Sequence, residues 1–242
     1  KGFCREATVE ELTNARWVPL PRYWVAEQFA EKLWEDVKWE SAWAIAFRDV
    51  TNPTNERTMI AAFLPRVAIG HKAPAILTSR SAREVALLVA NLSSAPLDYC
   101  ARNKMSGTSM SFFILYQLPV FHPEAYASWR LDGRPLVEEL TKIALCLTCT
   151  CDLLRPLAKA ASHTPEVTRW NDEERFSAMR CVDAIYARLY GLTREEVDKL
   201  VKKYSNMSFQ RASDRFYFNN VLSRYNAYAE LCPSDGPCKG VN

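Results

Sequence analysis

The sequence predicts an α+β fold, with a strand-rich N-terminal domain over residues 1–134 and a mainly helical region over residues 135–242. Three observations predict it. Two short apolar runs, Ser41–Phe47 and Thr58–Leu64, are bounded by polar or proline-containing segments, as buried strands are. Two capping-box patterns, Ser81-Ala-Arg-Glu84 and Thr193-Arg-Glu-Glu196, mark helix starts. From Pro135 onward the chain reads as helical to its end.

In chain order, Phe29, Leu33 and Trp34 place a first helix over about Val25 to Trp34. The two strand runs follow, separated by Asp49 to Arg57, whose Asn, Pro and Thr are loop formers. Pro65 and Gly70 punctuate the chain, and Ala75–Thr78 is a third strand candidate. Behind the Ser81 cap, Val85, Leu88, Val89 and Leu92 make an apolar stripe. Pro96 breaks this helix or opens another that ends near Asn103. Lys104 to Met110 is a polar loop, and Phe112–Leu118 an apolar run read as a buried strand. Pro135 to Ala161 is a long apolar helix with a kink expected at Pro156. Asn171-Asp-Glu-Glu174 opens a helix that stops at Gly191, and the Thr193 box starts one to Tyr204. A last helix covers Asp214 to Leu231, and internal repeats are lacking.

Of 242 residues, 48% are hydrophobic and 24% charged, with seven Trp, ten Tyr and eleven Phe, which excludes a disordered chain. The net charge of +3 permits nucleic-acid binding only if basic residues gather on one face. No run of about 20 apolar residues is present, so no membrane span is expected. The start at Lys1, without an initiator Met or a signal-peptide core, fits a fragment of a longer protein, and processing explains it equally well. Cys100, Cys146, Cys149, Cys151 and Cys181 fall in expected helices, which favours buried free thiols and a cytoplasmic location; Cys232 and Cys238 are the one pair suited to a disulfide.

Catalytic chemistry is hard to place. There is no glycine-dense phosphate loop, no Gly-x-Ser-x-Gly elbow and no paired short spacing of metal ligands. His71, His122 and His163 are the only histidines. Glu173, Glu174, Glu195 and Glu196 are explained by first helical turns. Neither a catalytic residue nor a metal site is assigned.

Four stretches carry a resemblance. The first is Phe47-Arg-Asp-Val-Thr-Asn-Pro-Thr-Asn-Glu-Arg-Thr-Met-Ile-Ala-Ala-Phe-Leu-Pro65 with Gly70-His-Lys-Ala-Pro74. The second is Leu87-Leu-Val-Ala-Asn-Leu-Ser93 with Asp98-Tyr-Cys-Ala-Arg-Asn-Lys104. The third is Gly107-Thr-Ser-Met-Ser-Phe-Phe-Ile-Leu-Tyr-Gln-Leu-Pro-Val120. The fourth runs from Asp172-Glu-Glu-Arg175 to Asp183-Ala-Ile-Tyr-Ala-Arg-Leu-Tyr-Gly-Leu-Thr193. In this order, from Pro21 to Tyr228, they resemble the C-terminal target-recognition region of large N6-adenine DNA methyltransferases. That group includes the single-chain type IIG restriction–modification enzymes and related phage-defence methylases. The third stretch is also similar to type I specificity subunits and TaqI-like recognition domains. The chain departs from the pattern in having Ser106-Gly107 where two glycines are common, and in keeping only Asp214-Arg215 of the final segment.

The resemblance implies a module that reads double-stranded DNA in cis with a methyltransferase domain. The family's Asn/Asp-Pro-Pro-Tyr/Phe loop is missing, for the chain has no Pro-Pro pair. S-adenosylmethionine is therefore expected in a separate catalytic domain, and no cofactor in this chain. Arg102, Lys104, Gly107, Thr108 and Ser109 supply charge, backbone access and hydroxyls suited to DNA, and they read equally as a polar turn. Arg66, His71, Lys72 and Arg80 form a second candidate group. Arg57 is expected in a structural salt bridge, and Trp17, Trp24, Trp34, Trp39 and Trp43 in the core. The rival reading is a non-catalytic interaction or scaffold region of a defence complex. A continuous positive groove through Arg66, Lys72, Arg102 and Lys104 favours the first; dispersed charge with an exposed apolar patch favours the second.

Overall fold

A computed structural model describes residues 5–20, 23–162, 166–205 and 214–231. The expected positions His163, Cys232 and Cys238 lie outside these residues. The strands are β1 (Trp43–Phe47), β2 (Ala61–Pro65), β3 (Ala75–Ile76) and a small hairpin β4 (Arg130–Leu131) with β5 (Arg134–Pro135). The helices are α1 (Val9–Thr13), α2 (Glu27–Asp36), α3 (Ala82–Leu92), α4 (Ala95–Lys104), α5 (Phe112–Leu115), α6 (Leu136–Thr148), α7 (Arg155–Ser162), α8 (Asp172–Leu189), α9 (Arg194–Ser205) and α10 (Asp214–Ala227).

The expectation of a strand-rich N-terminal half is corrected. About 52% of the structure is helical and 9% strand. The main sheet has three antiparallel strands in the order β2-β1-β3, with Ile45 of β1 opposite Phe63 on one side and Ile76 on the other. Every residue of β1 is buried, which accounts for its unbroken apolar composition. The Phe112–Leu118 run is one helical turn instead of a strand, because the Ser111 hydroxyl accepts from the Ile114 amide at 3.4 Å and starts a helix there.

Local signals otherwise place the longer helices well, whereas the short α1, opened by a Thr8–Glu11 capping box, lies outside the sequence expectation. Ser81 and Glu84 form both halves of the capping box, and so do Thr193 and Glu196. The amides and hydroxyls these two glutamates accept hold their carboxyls below the usual range. Gly191 takes φ +70° after α8; its amide donates to Arg188, and that of Leu192 to Ala187, so the final carbonyls are satisfied. The break in the long C-terminal helix falls at Cys149–Cys151, not at Pro156. Pro156 sits in the first turn of α7, where an absent N–H costs nothing.

One cluster of buried side chains runs from Trp43 through α3, α6, α7 and α8 to Leu231. At its centre lies an aromatic group with its polar tips paired. The Tyr126 and Tyr186 hydroxyls meet at 2.9 Å, and Tyr186 also reaches the Leu87 carbonyl at 3.1 Å. Asn91 donates to the Tyr190 hydroxyl at 2.8 Å and accepts from the Phe121 amide at 3.0 Å. Buried polar atoms are tolerated there because each finds a partner.

Candidate nucleic-acid interface

The chain leaving β1 at Phe47 runs beside two other loops. The Asp49 amide donates to the Lys72 carbonyl at 3.1 Å, and the Met110 amide donates to the Asp49 carbonyl at 2.7 Å. The Thr51 amide donates to the Thr108 carbonyl at 3.1 Å, and Val50 and Ser109 form an antiparallel bridge. Backbone hydrogen bonds thus fix Arg48–Thr51, Gly70–Ala73 and Gly107–Met110 on one edge of the molecule.

Their side chains continue the link. The Asp49 carboxylate accepts from the Ser109 hydroxyl and from Lys72 Nζ at 3.2 Å. The Ser109 hydroxyl and the Lys72 ammonium hold its carboxyl below the usual carboxylate range. Arg48, His71, Lys72, Lys104, Ser106, Gly107 and Thr108 are exposed here. Lys104 Nζ lies 3.3 Å from the side-chain oxygen of Gln117, just beyond α5. A Cβ added to Gly107 would meet nothing within 4 Å, so no neighbouring atom demands glycine there. The structure therefore brings together five of the nine sequence candidates, His71, Lys72, Gly107, Thr108 and Ser109, with a sixth, Lys104, exposed three residues before Gly107.

The other three lie elsewhere. The Arg66 amide donates to Ala42, at the opposite end of β1 and roughly 20 Å away along the strand direction. Its guanidinium pairs with Glu31 of α2 at 2.5 Å. Arg80 pairs with Glu84 at 3.2 Å and donates to His122 Nε2 at 3.1 Å. Arg102 is corrected outright: its side chain is 3% exposed, and it donates to Asp98 at 2.6 Å and to the Pro53, Asn55 and Glu56 carbonyls. The groove imagined through Arg66, Lys72, Arg102 and Lys104 is not continuous. The missed signal was the i, i+4 spacing of Asp98 and Arg102 on one helix face.

Arg102 and its neighbours form a framework behind the loops. Two guanidiniums lie over the ring of Tyr204 of α9, Arg57 at 4.8 Å and Arg102 at 4.7 Å from its centre. Burial and the nearby Asp98 charge lift the Tyr204 hydroxyl well above the ordinary tyrosine range. Arg57 forms its expected salt bridge, to Asp183 at 2.6 Å, while the other Asp183 oxygen accepts from the Ala95 amide at the start of α4. Of the tryptophans, Trp34 and Trp43 are core, Trp39 and Trp17 half-buried, and Trp24 is 75% exposed, which corrects its assignment to the core.

No family model, curated protein or solved structure matches the chain. Among the described residues, no group of three or more His, Cys, Asp or Glu side chains is placed to hold a metal ion, and no helix is long and apolar enough to cross a membrane.

Proposed function

We propose that this chain is a double-stranded DNA recognition module acting in cis with an N6-adenine methyltransferase domain, which supplies S-adenosylmethionine and the methyl transfer. The convergence of Lys72, Thr108 and Ser109 on one loop surface, with exposed Lys104 close by in the chain, supports this reading most. Lysines provide phosphate contact, hydroxyls and the glycine backbone provide close hydrogen bonding, and the one acid, Asp49, is already engaged by Ser109 and Lys72. In such a protein the catalytic domain extrudes the adenine and this surface selects the site.

Lys104→Ala is expected to weaken duplex binding and to lower the slope of log affinity against log salt by about 1, one phosphate contact's share. Fluorescence anisotropy across a salt series measures both. Salt-independent binding, or an unchanged slope in the variant, removes the assignment of this surface.

A second reading, a protein-interaction region, is favoured by a different face. Leu20 is 81% exposed, Trp24 75%, Leu33 66% and Phe29 57%, with Val25 and Val37 beside them. Ala30 and Trp34 anchor α2, and Phe29 and Leu33, each one residue earlier and so about 100° round the helix, form an uncovered apolar row flanking the buried side. Phe29→Glu combined with Leu33→Glu is expected to abolish co-elution with a separately produced methyltransferase domain of the same polypeptide, without unfolding the chain. Identical elution of both forms would remove this reading.

A further inference from the structure

The two exposed apolar surfaces differ in their charged surroundings. That of α2 shares its helix with Glu27, Glu31, Glu35 and Asp36 against one basic residue, Lys32, a poor setting for a polyanion. The other lies on α5, beside the convergent loops. Phe113 is 77% exposed and Tyr116 80% exposed. Residues three apart lie on one side of a helical turn, so these two rings share a face. The rest of the turn leans on the core: Ile114 and Leu115 are partly buried against it, and Phe112, itself 39% exposed, meets Phe47 edge-on at 5.2 Å.

Tyr116 is also braced. Its ring stacks on Phe112 at 5.9 Å with an interplanar angle of 28°, and Phe112 is seated on buried Phe47. Phe112 thus flanks one side of the ring while the residue stays largely exposed. Gln117 ties the turn down by donating to the Phe113 carbonyl at 2.9 Å, and its oxygen accepts from Lys104 Nζ at 3.3 Å. Leaving two large aromatics in water forgoes burial of about 150–250 Å² each. A rigid aromatic surface next to an ammonium and hydroxyls matches a nucleobase with its phosphate better than an apolar peptide.

We infer that Phe113 and Tyr116 form a stacking ridge for a base that is out of the duplex stack, so that the preferred ligand is DNA with an unpaired or kinked position. This rests on the DNA-recognition reading and adds base stacking to it. Three oligonucleotides of one sequence test it: fully paired, with a single-base bulge, and single-stranded, each carrying 2-aminopurine at the position of interest. The bulged duplex should bind more tightly than the paired one and show quenched fluorescence on binding. Phe113→Ala and Tyr116→Ala should each weaken bulged binding about tenfold and relieve the quenching, while Tyr116→Phe retains both. Both side chains are exposed, and a unchanged urea midpoint establishes that the variants are folded.

Equal affinity for bulged and paired DNA, or alanine variants that bind like the parent while Lys104→Ala still weakens binding, would overturn the stacking ridge and leave the phosphate-contacting surface standing. Absence of binding to all three oligonucleotides would overturn both. Loss of association with a protein partner in the alanine variants, with DNA binding intact, would assign the rings to protein docking and likewise overturn the inference.

Discussion

Asp98→Ala is expected to lower the stability of the chain by about 3–5 kcal/mol, the range for breaking a buried ion pair from one side. One Asp98 oxygen accepts the Thr58 and Met59 amides at 2.7 and 2.6 Å. The other accepts Arg102 Nε at 2.6 Å and the Tyr204 hydroxyl at 2.5 Å. Alanine leaves a guanidinium in the interior without its counter-charge and removes an acceptor from two buried amides. Asparagine is expected not to rescue, since its amino group would face donors wherever it turned. Urea unfolding followed by circular dichroism measures the loss, and a loss under about 1 kcal/mol would refute this account of the framework. The consequence reaches the loop surface. Arg102 clasps the Pro53, Asn55 and Glu56 carbonyls, and the chain just before them carries Val50 and Thr51, which bind the Thr108–Ser109 segment. Hydrogen exchange at the Thr51 and Met110 amides should therefore quicken in the variant.

Alkaline pH is expected to be the second large lever. Cys149 is fully buried at the end of α6, with its thiol 3.6 Å from the Leu154 carbonyl, and burial pushes its pKa from 9.0 up to about 12. The unfolded chain releases this proton from about pH 9 upward, while the folded chain holds it until about pH 12. The folded state thus binds more protons across that window, so the contribution is complete below pH 9 and is lost as pH rises toward 12. Three pH units correspond to roughly 4 kcal/mol at the upper limit. Tyr126, Tyr186, Tyr190 and Tyr204, all raised by burial, act in the same direction. The urea midpoint should fall between about pH 8 and pH 11, and less steeply in Cys149→Ala than in the parent. Parallel slopes in the two proteins would remove Cys149 from this account.

Legibility in the sequence followed the range of the interaction. The Ser81 and Thr193 boxes, the Asn171 cap and the Gly191 stop were all readable, because each acts through partners three to five residues away. Phe29, Leu33 and Trp34 identified α2 correctly but not its orientation. The buried side carries Ala30 and Trp34, and Phe29 and Leu33 face outward. Periodicity reports that a helix has an apolar side, whereas packing selects which side is covered. The strand assigned to Phe112–Leu118 failed for a related reason: a short apolar run does not distinguish strand from helix, and the Ser111 cap decides it.

By itself, the sequence determined most of the longer helices with the caps of α3, α8 and α9, the apolar cores of β1 and β2, and the pool of basic and hydroxyl residues from which a surface can be built. Tertiary structure decided which members of that pool face water. Lys72, Thr108 and Ser109 are held together on the surface by contacts between loops distant in the chain, while Arg102, two residues before exposed Lys104, is drawn inside by Asp98 and three carbonyls. The physical reason is desolvation: an arginine's fate depends on whether enough acceptors surround it to offset leaving water, and most of those acceptors lie 46 to 49 residues away in the chain.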